Sequence, residues 1–294
     1  MFNTEKLKTF SWVNVGNPDH EDFEKLQLNY KVDEDTILDI LDPDEQSRVE
    51  IEDDYKNIIV RFPIVNREMD TTWHTEPLSI IYSDKNVLTV CRKRCDLLDK
   101  MKDGEKTSRE AFILNILLRI ADSYLRSLKE LNKKVFASKK NLQQQITKKE
   151  LLLLLDVENS YTLYMAGLKG NMTVIEKLEK MRSFRRDEDL DELLEDTRIE
   201  LNQAIEVITS YHKMLVSIKA TFESVINIDS NKYINRLTMW NIILIAPTIL
   251  VGYYGMNMEL PFAGYHETAV VIFIAIFVFL FGYGIYAGFF NKGK

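Results

Sequence analysis

Between Leu237 and Asn257 the chain reads LTMWNIILIAPTILVGYYGMN, without one charged side chain. About twenty such residues, each rising about 1.5 Å in a helix, cover the roughly 30 Å of hydrocarbon in a bilayer. A second uncharged run, Thr268 to Phe290, begins about ten residues later. The two runs, at about 237–257 and 268–290, predict a pair of antiparallel membrane-crossing helices. Everything before Leu237 is too polar to enter lipid.

The first run is not uniformly apolar, because it carries Asn241, Thr248 and Asn257. Steps of four, three and four residues from Asn241 lead to Ile245, Thr248 and Gly252, which share one helix face. Trp240, Ile243, Leu244, Leu250 and Val251 lie elsewhere. Two readings follow. Small and polar groups bond across helix dimers in membranes; alternatively, several copies arranged about an axis enclose a water-filled path, which a single hairpin cannot do.

The chain has 294 residues and a net charge of −7. From Asn231 onward, Lys232, Arg236, Lys292 and Lys294 outnumber Glu259 and Glu267 by two, so residues 1–230 carry −9. Such an acidic part argues against nucleic acid as a partner and is compatible with attracting cations. The segment Met258–Glu267 has no Lys or Arg, whereas basic residues flank both runs on their other sides. The positive-inside rule then puts both termini in the cytoplasm. MFNTEKLKTF has no apolar signal core, in keeping with a cytoplasmic domain at the start of the chain. Cys91 and Cys95 are then reduced, and read as structural residues.

Residues 1–102 predict an α/β cytoplasmic domain with a mixed or largely antiparallel sheet. Strands are expected at 9–15, 49–52, 58–62, 78–82 and 87–91, with helices near 21–28 and 34–41, the latter stopped by Asp42-Pro43. Residues 103–230 form a helical stalk. Ala111–Val135 has apolar residues at helical spacing, and a return helix is expected from Lys148 to about Lys180. The basic pairs at 133–134, 139–140 and 148–149 read as a solvated turn. A last helix is expected from about Leu190 straight into the first apolar run, since Asn171–Ala246 lacks Gly and Pro. Along it Leu201, Ile208, Leu215 and Phe222 recur every seven residues, with Ala204, Tyr211, Ile218 and Val225 three positions on, the mark of a helix packed on other helices. Residues 231–294 are the transmembrane domain.

Tyr254-Gly255-Met256-Asn257, placed before a short loop and a second terminal span, resembles the signature of the CorA family of divalent-cation channels. Ser11-Trp12-Val13-Asn14-Val15 resembles the family's early Trp-hydrophobic-Asn strand. Leu38-Asp39-Ile40 followed by Arg48-Val49-Glu50 resembles its short acidic helix leading into a strand. The resemblance implies a homopentameric funnel in membrane lipid whose first span lines the pore, with Gly255, Met256 and Asn257 as selectivity filter. Mg²⁺ gives up its water shell reluctantly, so a ring of Asn257 carbonyls that accepts hydrogen bonds from those waters suits it better than a ring of carboxylates.

Keeping the family register ungapped back from Asn257 extends the pore-lining face through Gly252, Thr248, Ile245, Asn241 and Leu237 to Asn231. Leu237 and Ile245 become candidates for an apolar gate, and Glu259 for attracting cations at the outer loop. The same register makes Asp196 the stalk acid that meets Asp39 of a neighbouring subunit. Mg²⁺ between two carboxylates would turn their repulsion into adhesion, so the resemblance implies a channel held closed by cytosolic Mg²⁺.

The expected cargo is Mg²⁺, with Co²⁺ and Ni²⁺ as further divalent cations. Alternatives are a zinc transporter of the same superfamily, whose relatives vary the Gly-Met-Asn that this chain keeps, and a non-conducting, membrane-anchored cation sensor. An enzyme is not expected: His20, His74, His212 and His266 form no metal-binding spacing, and no phosphate loop, nucleophile elbow or dinucleotide fingerprint occurs.

Overall fold

The computed structural model describes residues 2–7, 9–65, 72–93, 95–101, 108–142, 148–185, 187–255, 271–272, 274–279, 281–283 and 286. Two compact units divide the chain at Lys219–Ala220.

In the first unit, six strands form one mixed sheet: β1 (Phe2–Lys6), β2 (Ser11–Gly16), β3 (Arg48–Ile51), β4 (Lys56–Val65), β5 (Trp73–Tyr82) and β6 (Asn86–Cys91). Their order is β1-β2-β6-β5-β4-β3. Among the described residues only β2 and β6 pair in parallel, with Val13 opposite Leu88; the remaining pairs are antiparallel. β1 is a strand that periodicity misses. FNTEK has no apolar alternation and is held by pairing with β2, Thr4 opposite Val13.

The alternation along β2 sends its side chains to two different layers. Val13 and Val15 join Ile81, Leu88 and Val90 beneath α1 (His20–Tyr30) and α2 (Glu34–Leu41), which contribute Leu26, Ile37 and Ile40. Asp19 caps α1 in a reciprocal box with Asp22, and Asp33 caps α2 by accepting from the Thr36 N–H at 2.7 Å. On the opposite layer Trp12 packs edge-on against Phe112 of α3 (Arg109–Leu142), ring centres 5.2 Å apart. The Trp12 indole donates to Thr89 Oγ1 at 3.0 Å, and that hydroxyl donates to Asn14 Oδ1 at 3.1 Å. The Trp-x-Asn spacing therefore ties β2 to β6 through one buried threonine.

The helix α4 (Lys148–Leu178) packs on β3, β4 and β5. β3 ends at Arg48 opposite Ile59, so the Arg61 peptide group has no strand partner on that side. Asn171 of α4 replaces one: its Oδ1 accepts from the Arg61 N–H at 2.9 Å and its Nδ2 donates to the Arg61 carbonyl at 2.7 Å. Such an approach requires small residues on α4. A Cβ on Gly167 would lie 2.4 Å from Tyr124 Oη, and one on Gly170 would lie 3.0 Å from Ser47 Cβ.

Helix α5 (Glu188–Tyr254) has residues in both units. Within the first, its heptad positions Leu201, Ala204, Ile208, Leu215 and Ile218 are buried. Lys219 Nζ pairs with Glu158 of α4 at 2.6 Å. Val225 is exposed, so the covered seam does not extend that far in one protomer.

The Gly167 contact is testable. Tyr124 is fully buried and donates to the Arg61 carbonyl at 3.1 Å, so its hydroxyl cannot swing away freely. Gly167→Ala gains about 1 kcal/mol of helix propensity but overpacks the site by about 1–3 kcal/mol. We expect a net loss of stability in thermal unfolding, and Tyr124→Phe, which removes the clashing oxygen, should recover much of it in the double variant.

Candidate ion path and cation sites

In the second unit α5 continues to Tyr254, and residues 271–272, 274–279 and 281–283 are helical. Trp240 meets Phe281 with ring centres 5.6 Å apart, and Ile243 is buried at 6% exposure. Pro247, half-buried, belongs to the same side of α5. Lacking an N–H, it leaves the Ile243 carbonyl without its helical donor.

The face carrying Asn241, Ile245, Thr248 and Gly252 is centred roughly 130° around the helix from Trp240, Ile243 and Pro247. All four residues are exposed, as are Asn231 and Leu237, with Ile245 at 53% and Leu237 at 63%. The Thr248 hydroxyl donates to the Leu244 carbonyl at 2.8 Å, which leaves its lone pairs facing outward. Among the described residues, a Cβ on Gly252 would meet nothing within 4 Å, so no packing between them demands glycine there. Gly255 closes the helix by donating its N–H to the Val251 carbonyl at 2.9 Å. Met256, Asn257 and Glu259 lie outside the described residues, as does much of the 268–290 run. Among the described residues, no helix is long and apolar enough to cross a membrane.

The two acids expected to sense cations sit on different elements, and no hydrogen bond or ion pair joins them among the described residues. Asp39, near the end of α2, accepts from Arg48 Nη2 at 2.6 Å. The same guanidinium donates through Nε to Glu50 Oε1 at 2.6 Å, and through Nη1 to Glu45 Oε1. Glu50 also accepts from Asn57 Nδ2 at 3.1 Å. Burial lifts the Asp39 carboxyl above its usual range; Arg48 pulls it back, and Glu45 and Glu50 push it up again. Sequence spacing indicates Arg48 and Glu50 only as part of a strand motif. Their convergence with Glu45 on Asp39 depends on the turn that brings β3 beside α2.

Asp196 is exposed on the third turn of α5. It lines a cleft of about 440 Å³ with Ser108, Asp187, Asp189 and Glu192, where the starts of α3 and α5 meet. Asp187 caps α5 by accepting from the Leu190 N–H at 3.0 Å. Among the described residues of one chain, no group of three or more His, Cys, Asp or Glu is gathered to hold a metal ion.

Two other polar clusters are structural. Cys91 and Cys95 are buried and unpaired with each other; burial raises the Cys91 thiol and pushes Cys95 up to about 12, which keeps both as inert thiols. Glu76 is buried at the middle of β5. Burial alone would raise its carboxyl, but bonds from His74, Lys93 and Arg92 outweigh that and lower it to about 2.

An α/β sheet domain followed by one long helix is the fold of the CorA transport proteins. The profile of the family described as CorA-like Mg2+ transporter protein matches residues 8–289, and the chain belongs to that family. It is 23% identical to the cobalt/magnesium transport protein CorA of Methanocaldococcus jannaschii, covering 92% of this chain and 89% of that one. It is 22% identical to the magnesium transport protein CorA of Helicobacter pylori, covering 84% and 79%. The complete structure of the M. jannaschii CorA magnesium transporter superposes with a TM-score of 0.80 at 21% identity, over 97% of this chain and 91% of that one. The sheet domain and long helix expected from the sequence are thus the family fold.

Exposure of the polar stripe has a direct readout. Single Thr248→Cys and Gly252→Cys variants, with the buried native thiols left in place, should react readily with a water-soluble thiol reagent in membranes, whereas Ile243→Cys should be protected. Protection of Thr248→Cys with labelling of Ile243→Cys would mean that the faces are reversed.

Proposed function

We propose that the chain is a channel for hydrated Mg²⁺ across the cell membrane, with Co²⁺ and Ni²⁺ as further cargo. In this reading it works as a homopentamer whose residues 231–294 lie in lipid, with spans at about 237–257 and 268–290 and both termini in the cytoplasm. Residues 1–102 form the cytoplasmic α/β domain and residues 103–230 the helical stalk. The observation that carries the reading is the uncovered face of α5. The polar and small residues Asn241, Thr248 and Gly252 lie on the side of α5 away from Trp240, and among the described residues nothing packs on Gly252 or bonds the Asn241 amide.

Five such faces about an axis give a path of amides and hydroxyls, narrowed at Leu237 and Ile245, where apolar walls stop ions by expelling water. Asn231 rings the inner mouth. At the outer mouth the filter, Gly255, Met256 and Asn257, engages the ion through its hydration waters, and Glu259 raises the local cation concentration. The names of the M. jannaschii and H. pylori relatives, which specify magnesium and cobalt or magnesium, favour Mg²⁺ as the ion.

For regulation, Asp39 of one subunit and Asp196 of the next share Mg²⁺ when the cytosolic ion is plentiful. Asp196 stands on the helix that carries the pore face. The concentration of acids around each residue, Glu45 and Glu50 beside Asp39 and Asp187, Asp189 and Glu192 beside Asp196, supports attraction of a divalent ion.

Flux into proteoliposomes, measured separately with Mg²⁺, Co²⁺ and Zn²⁺, tests the function. Uptake of Mg²⁺ that is abolished by Asn257→Ala is the expected result. Zinc uptake without magnesium uptake would select the zinc-carrier alternative, and the absence of any flux would select the sensor.

A further inference from the structure

The carboxylate of Asp39 is already engaged inside its own subunit. Arg48 donates to Asp39, Glu45 and Glu50 from three different nitrogens, and every side chain in the quartet is at most about a third exposed. One guanidinium thus serves three carboxylates, and the group carries a net charge of −2 if all are ionised. Asp39 Oδ1 has no partner among the described residues, so the acid retains one oxygen for an external ligand while the other is tied to Arg48.

This arrangement sets two opposing forces on an approaching divalent ion. Glu45 and Glu50 attract it, whereas Arg48 repels it and holds the other oxygen of the same carboxylate. At a separation of about 6 Å, a single and a double charge interact by more than 1 kcal/mol even in water, so the arginine is worth about tenfold in ion affinity.

We propose that Arg48 is the built-in counter-ion against which cytosolic Mg²⁺ competes for Asp39, and that it sets the Mg²⁺ concentration at which the transporter closes. The inference rests on the reading of Asp39 and Asp196 as the regulatory pair. When Mg²⁺ is scarce, Arg48 neutralises part of the acidic group and holds α2 to β3. When Mg²⁺ is abundant, the ion screens the same carboxylates and gains Asp196 of a second copy as an additional ligand.

The test is Mg²⁺ flux through the full chain in proteoliposomes as internal Mg²⁺ is varied. Arg48→Gln should lower the half-inhibiting concentration by about tenfold. Glu45→Gln, which removes an attractive charge, should raise it. Changes of opposite sign are not what mere damage to the α2–β3 contact would produce. Should Arg48→Gln fail to assemble, Glu45→Gln alone still decides: an unchanged or lowered half-inhibiting concentration overturns the proposal. The same holds for an unchanged or raised value in Arg48→Gln. The double variant Asp39→Ala, Asp196→Ala separates the two levels. If it keeps normal inhibition, the regulatory pair is wrong and the role of Arg48 falls with it. If it loses inhibition while the Arg48 and Glu45 variants leave the threshold in place, only the Arg48 inference fails.

Discussion

A side-chain amide or hydroxyl facing lipid tails loses several kcal/mol of hydration unless another group bonds to it. Helix α5 places Asn241 and Thr248 in an uncharged run on one exposed face; the Thr248 hydroxyl is satisfied by the Leu244 carbonyl, whereas the Asn241 amide has no partner among the described residues. Trp240, Ile243 and Pro247 occupy the side toward Phe281, which leaves the polar stripe for water or for further copies. Gly252 fits the same logic, since its missing side chain matters only where another backbone or a hydrated ion comes close.

The sheet domain solves a different problem, that of building a rigid platform from a single parallel strand pair among antiparallel ones. Thr89 links Trp12 to Asn14, and Asn171 completes the unpaired edge of β4 beyond β3. Glycines at 167 and 170 let α4 come close enough for that second bond. These buried contacts fix the stretch containing Arg48, and hence the acidic group around Asp39. Rigidity there fixes the three carboxylates and the guanidinium relative to one another.

Much of this was legible in the chain itself. The helices α1 to α5 announce themselves through apolar spacing, the lack of Gly and Pro after Asn171 and the proline after Asp42, and five of the six described strands through β-branched runs. β1 was not legible, because FNTEK becomes a strand only by lying against β2. Gly167 and Gly170 carried a signal that helical periodicity hides: a Gly-x-x-Gly inside a long helix marks a close approach, here to Tyr124 and Ser47. For the candidate site, the stripe 241–245–248–252 followed from counting along a helix. The Arg48 quartet did not, since Asp39, Glu45, Arg48 and Glu50 come together through a turn whose course no periodicity specifies. The Gly-Met-Asn segment was recognisable by its letters and position, and its last two residues lie outside the described part of the chain.

The central claim is that the polar stripe of α5 faces an axis shared by identical copies. Native mass spectrometry of the full chain, released from membranes in mild detergent, reads the number of copies directly. A predominant species of about five times the 34.4 kDa protomer is the predicted result. A stable monomer or dimer under conditions that support Mg²⁺ transport would contradict the account, because neither can enclose a water-filled path.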